Sequence, residues 1–170
     1  VANNVITVGS ESRCEILAEL LDKYNGNDPP ADDKSLSGSK RKKGNMPFSV
    51  RSKRGFVTHT GTFHGVPVSI VMINMGYPNM DFLVREIRTV TEGPLRIIRL
   101  GSCAGLRADL PVGTIAVASE GSLFISQNPD AWKSSDEGGK EETPYVFHQV
   151  VPADEQLSRL LIKELNAAFE

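Results

Sequence analysis

The chain is poor in the residues that staple or metallate a small protein. Among its 170 residues are two cysteines, Cys14 and Cys103, too few for a disulfide framework. The three histidines, His59, His64 and His148, lie far apart, and no histidine and cysteine cluster has ligand spacing, so no metal is expected. No apolar run approaches the ~18 residues a membrane helix needs. No signal peptide precedes Val1, so the cytosol is the expected compartment. An excess of one charge is missing too: 19 Lys and Arg face 21 Asp and Glu, a formal charge of -2. A dedicated nucleic-acid binder shows a strongly basic face instead. What is present, 39% hydrophobic and 24% charged residues, suits one globular domain over residues 1–170 with a sizeable core.

In chain order, the β-branched run Val5-Ile6-Thr7-Val8 predicts a strand, and Gly9-Ser10-Glu11-Ser12-Arg13 leads into a helix. Ile16, Leu17, Leu20 and Leu21 recur at helical spacing, with Ser10 or Ser12 as N-cap. A helix N-terminus favours phosphate, and Arg13 adds a full charge one turn in; a capped helix with a solvated arginine is the alternative. Residues 24–53 carry no apolar period and predict a flexible insertion. Its run Lys40-Arg41-Lys42-Lys43 is either a localisation or nucleic-acid patch or simply a solvated face.

The next stretch predicts a hairpin, with strands from Phe56 to Phe63 and from Val68 to Ile73 and a turn at His64-Gly65-Val66-Pro67. Asn74-Met75-Gly76-Tyr77-Pro78-Asn79 forms a second small-residue turn before a helix carrying Leu83, Ile87 and Val90. Gly93-Pro94 ends that helix, and a central strand spans Leu95 to Leu100. Strand, helix and strand in this order imply a right-handed crossover and a largely parallel α/β sheet. Gly9, Gly76 and Gly101 then fall at the carboxyl ends of strands, where such sheets bind ligands. Further strand character lies in Gly113 to Ala118, a loop in Asn128 to Trp132, a mobile acidic loop in Ser134 to Glu142, and an amphipathic helix in Gln156 to Phe169 with Leu157, Leu160, Leu161, Leu165 and Ala168 on one face.

The most suggestive stretch is Ile97-Ile98-Arg99-Leu100-Gly101-Ser102-Cys103-Ala104-Gly105-Leu106. An apolar run holding one arginine breaks into a turn that offers a hydroxyl, a thiol and accessible backbone amides. A guanidinium presents five donors in a rigid fork suited to phosphate or carboxylate. Gly101, Ala104 and Gly105 let backbone N–H groups approach closely. The competing reading is an ordinary strand and glycine turn with Arg99 salt-bridged. Cys103 is a thiolate nucleophile only if the turn lowers its pKa; packing is the simpler role.

Together these residues resemble the nucleoside phosphorylases of the uridine phosphorylase type, in the superfamily that also holds purine nucleoside phosphorylases and methylthioadenosine nucleosidases. The resemblance runs from Val5 to Phe169 and is strongest over Arg54 to Pro129. Gly9 and Arg13 look like that family's first phosphate loop. Arg54, opening Arg-Gly-Phe-Val-Thr-His-Thr-Gly, matches an arginine that reaches across a dimer interface into the neighbour's phosphate site. Arg99-Leu-Gly-Ser-Cys-Ala-Gly resembles the Arg-x-Gly-Thr-x-Gly loop, where the arginine and hydroxyl bind phosphate and the following residues line the base and ribose pockets.

The resemblance implies a three-layer αβα sandwich around a mixed, largely parallel sheet. It implies reversible phosphorolysis of uridine or a related nucleoside in pyrimidine salvage, by a homodimer or larger oligomer. Inorganic phosphate is the co-substrate and no cofactor is implied. Phosphate then meets Gly9, Arg13, Arg99, Ser102 and the neighbour's Arg54; Arg99 and Ser102 are catalytic; Ser102, Cys103 and Ala104 border base and ribose. The sequence departs from the family where Ser102 replaces threonine and Ala104 replaces glycine. The family's Glu-Met-Glu segment and its base-recognising Gln and Arg would fall beyond Glu170, so an N-terminal portion lacking its C-terminal part is expected. The alternatives are an inactive phosphate- or nucleoside-binding or regulatory subunit, a purine nucleoside phosphorylase, and a nucleosidase.

Overall fold

The computed structural model describes residues 1–22, 47–132 and 143–169. The basic run Lys40 to Lys43 and the acidic segment from Ser134 to Glu142 lie outside them. The chain divides into two compact units, Val1–Ala104 and Gly105–Glu170.

In the first unit, β1 (Asn4–Val8) leads through Gly9 into α1 (Glu11–Ala18); then follow β2 (Phe48–Arg51), β3 (Val57–Phe63), β4 (Val66–Met72), α2 (Tyr77–Val90) and β5 (Arg96–Arg99). The sheet order is β2-β3-β4-β1-β5. β1 runs parallel to both β4 and β5, while β2, β3 and β4 pair antiparallel, which makes the sheet mixed. α1 packs on one face over Val8, Val57, Ile70 and Met72, and α2 on the other over Val5, Phe56, Val71 and Ile73. Strand alternation explains this division, since Ile70 and Met72 point to one face while Val71 and Ile73 point to the other. Helix, sheet and helix therefore form three layers.

Several local details differ from expectation. β2 occupies the last part of the expected insertion, because Phe48 to Arg51 pair in register with Thr60 to Val57. The hairpin turn is only His64-Gly65, both with positive φ (49° and 77°), and Phe63 already pairs with Val66. Asp22 fastens it by accepting from the backbone N–H groups of His64 at 3.0 Å and Gly65 at 2.8 Å. α1 buries Cys14 and Ala18, with Leu21 beyond its end, whereas Ile16 and Leu20 are exposed. The chain tightens there to three-residue spacing, Leu20 N–H to Leu17 O and Leu21 N–H to Ala18 O, which shifts the buried stripe. β5 is an edge strand among the described residues and not the central one.

The second unit contains β6 (Ile125–Gln127), a 3₁₀ turn (Pro129–Trp132), β7 (Tyr145–Phe147) and α3 (Glu155–Phe169). β6 and β7 form an antiparallel pair. Residues 113–118 are not a strand: their alternation suits a sheet, but no described residue pairs with them, and a strand exists only through its ladder. No helix among the described residues is long and apolar enough to cross a membrane.

Candidate functional site: two arginines at the carboxyl ends of parallel strands

β1, β4 and β5 share one direction, so their carboxyl ends open onto one edge of the sheet. The ladder continues right up to that edge through Ile73 N–H to Val8 O at 3.1 Å and Leu100 N–H to Thr7 O at 2.9 Å. Gly9, Asn74 and Leu100 therefore leave the sheet side by side.

Arg99, at the end of β5, donates from Nη2 to the main-chain oxygen of Asn74 at 3.2 Å. Gly9 fits against this pair. A Cβ at that position would lie 3.2 Å from Arg99 Nη2, a tight approach that would push the guanidinium aside by a few tenths of an ångström, and 3.5 Å from the Asn74 oxygen, an ordinary contact. Arg13, one turn into α1, donates from Nη2 to Ser102 Oγ at 3.2 Å. Four of the five residues expected around phosphate, Gly9, Arg13, Arg99 and Ser102, are thus brought together by α1 and the ends of β1 and β5. Ser10 holds the N-cap position of α1 without making a side-chain cap, so the first-turn amides receive no hydroxyl from it.

The electrostatics follow from this crowding. Partial burial, and after it the charge of Arg13, lower the pKa of the Arg99 guanidinium. Elsewhere Arg51, Arg54, Arg85, Arg107 and Arg159 each hold a carboxylate. Among the described residues, Arg13 and Arg99 form no such ion pair, so two cations stand together with no counter-ion from those residues. A cleft of about 340 Å³, lined by Ile73, Gly76, Tyr77, Met80 and Arg99, opens on the Arg99 side.

Arg54 is placed differently. Its Nη1 donates to Glu86 Oε1 at 2.8 Å, and its guanidinium lies over the Phe82 ring at 5.7 Å, both partners on α2. Within this chain it meets neither Arg13 nor Arg99. Cys103 is a free, exposed thiol, and Ala104 is exposed beside it. Gly101 and Gly105 have open space around them, so no close approach within the described residues demands glycine there. The sequence reading missed Asn74, Glu86 and Phe82. Asn74 was legible only as part of a turn, and the two α2 residues as part of a helix surface.

The Phosphorylase superfamily matches residues 4–169. The uridine phosphorylase of Treponema pallidum is 33% identical over 73 residues, 43% of this chain and 28% of that protein. A DeoD-type purine nucleoside phosphorylase of Myxococcus xanthus is 41% identical over 71 residues, 42% of this chain and 28% of its own length. A solved structure from a structural and catalytic study of two uridine phosphorylases of the oomycete Phytophthora capsici superposes with a TM-score of 0.77 at 39% identity, covering 96% of this chain and 47% of the other. This chain spans about half the length of that solved chain. The family match runs from β1 to the end of α3, and the solved relative shares the same α/β fold: the chain belongs to the phosphorylase superfamily.

Proposed function

We propose that the chain supplies the phosphate-binding half of a nucleoside phosphorylase that acts on uridine or a close relative. The observation that carries this reading is that Arg13 and Arg99 stand close together with no ion pair among the described residues, Arg13 on Ser102 Oγ and Arg99 beside Gly9 on the Asn74 carbonyl. Phosphorolysis breaks the bond between the anomeric carbon and the base nitrogen. The base leaves with the electron pair and takes up a proton, and a phosphate oxygen bonds to the anomeric carbon. Because that carbon becomes cation-like, fixing the phosphate dianion beneath it both positions the nucleophile and stabilises the developing charge. In this reading Arg13, Arg99 and the Gly9 amide hold phosphate, Ser102 spans phosphate and ribose, and Cys103 and Ala104 border the nucleoside. Arg54 completes the site from a second subunit, which makes a dimer the minimal active unit.

The test is base release from uridine and inosine by the full-length protein, with and without inorganic phosphate, beside an Arg99→Ala variant. Phosphate-dependent release supports the reading. A charge-assisted contact contributes roughly 1.5–3 kcal/mol, so Arg99→Ala is expected to weaken phosphate about tenfold to a hundredfold. Release without phosphate points to a nucleosidase, and no release to an inactive binder; either overturns it. A second reading, purine nucleosides, is favoured by the likeness to DeoD-type purine nucleoside phosphorylases. Preference for inosine over uridine would decide for it.

A further inference from the structure

Asn74 has a main-chain conformation uncommon for a residue with a side chain. It follows β4 with φ of 61°, in the left-handed region. The other non-glycine residue with positive φ among the described residues, His64, sits in a two-residue hairpin turn whose geometry demands it. Asn74 is in no hairpin; it begins the turn from β4 into α2. Left-handed backbone is costly for most residues and concentrates at functional sites, with asparagine among the side chains that bear it best.

What this conformation achieves can be read from the contacts. It turns the Asn74 carbonyl toward Arg99 Nη2, 3.2 Å away, where the guanidinium also passes close to Gly9. The side chain goes the other way, with Nδ2 3.9 Å from where a Cβ of Gly55 would lie. A carbonyl oxygen carries partial negative charge, so it offsets the repulsion between the Arg99 and Arg13 guanidiniums. It also holds an otherwise exposed arginine in one rotamer, leaving the other donors of the fork for an anion.

We infer that Asn74 is a positioning residue for Arg99, acting through its left-handed main-chain carbonyl. The inference rests on the phosphate-site reading above. It is tested on the full-length protein by the KM for phosphate, kcat at saturating phosphate, and titration with inorganic phosphate alone. Asn74→Gly keeps the conformation and is expected to leave phosphate affinity within about twofold. Asn74→Val strongly disfavours it and is expected to weaken phosphate about tenfold, with kcat at saturation little changed. Added to Arg99→Ala, Asn74→Val should have no further effect on phosphate. If the valine variant does not fold, Asn74→Ala should still bind phosphate more weakly than Asn74→Gly. Equal affinity in the glycine and valine or alanine variants overturns the inference, as does a loss in Asn74→Gly as large as in Asn74→Val, or an additive double variant. An Arg99→Ala variant with unchanged phosphate affinity would sink the phosphate site itself, which is a separate failure.

Discussion

In the unit Val1–Ala104, α2 sets Leu83 and Ile87 against the sheet at 4% and 3% exposure. In the unit Gly105–Glu170, α3 carries Leu157, Leu161 and Leu165 at the same helical spacing, and α3 buries no residue. Both helices are amphipathic as sequences, yet only one lies on a sheet face within its unit. Every fully buried hydrophobic residue described, from Val5 to Ile87, belongs to the first unit. An apolar stripe specifies that a helix has an inner face; whether that face is covered depends on strands paired elsewhere. The arginine pair sits on the unit whose five-stranded sheet is covered by helices, and such a base holds side chains in fixed positions.

Truncating the two helices should separate them most clearly. In the 170-residue chain, Ile87→Ala removes a side chain packed against Val5, Val71 and Ile73 and should cost about 2–5 kcal/mol in urea unfolding. Leu161→Ala should cost less than about 1 kcal/mol, since its side chain is only half-buried. Equal losses would mean that α3 is covered in solution and would break the comparison.

A contrast between covered and exposed side chains also exists within the first unit, between its two thiols, with a smaller effect. Burial pushes Cys14 up from 9.0 to about 11, its Sγ lying 3.8 Å from Val57 O and 3.7 Å from Ile70 O; Cys103 is exposed. A thiol reagent should therefore modify Cys103 at once and Cys14 only on unfolding. Because the folded state holds the Cys14 proton more tightly, its contribution to stability is intact below pH 9 and lost as pH rises toward 11. The loss at pH 10 should be about 1 kcal/mol, and Cys14→Ala should remove this alkaline decline. A decline unchanged by Cys14→Ala would assign it to other groups.

Much of the site was legible because it is built from local signals. Gly9 to Arg13 and Arg99 to Ser102 are each a strand end running into a small-residue turn, and parallel strands deliver such turns to one edge. The crossover from β4 through α2 to β5 was legible for a related reason, since strand, helix and strand follow one another there, while the three-layer order was implied by the family resemblance. What could not be read depended on distant partners. Asn74 acts through a φ value and a carbonyl direction that no composition reports. Arg54 meets Glu86 and Phe82 only because the turn between β2 and β3 lies against α2 in space. The face of α1 was misread because the larger Ile16 and Leu20 outweighed Cys14 and Ala18, the small residues that actually meet the sheet. Residues 113–118 have strand chemistry without a ladder partner among the described residues.

The subtlest test concerns His59, a polar residue inside the well-packed unit. It sits on β3 between Ser49 of β2 and Ile70 of β4, is 8% exposed, and has no hydrogen-bond partner for either ring nitrogen among the described residues. Burial lowers its pKa from 6.5; Glu15 and Glu11 on α1 pull the other way, and Arg51 on β2 adds to the lowering. The folded state therefore favours the neutral ring. Above pH 6.5 both folded and unfolded chains hold it neutral, and its contribution is constant. As pH falls below 6.5, the unfolded chain takes up a proton the folded chain resists, so stability drops until the folded pKa is passed. Acidification also protonates carboxylates, which is why the comparison must be with His59→Gln, neutral throughout. Urea unfolding at pH 7.5 and 5.5 should show a smaller acid loss in His59→Gln than in the wild type. An equal loss would mean that His59 gains a proton in the folded chain as readily as in the unfolded one, and that this position is wetter than its burial indicates.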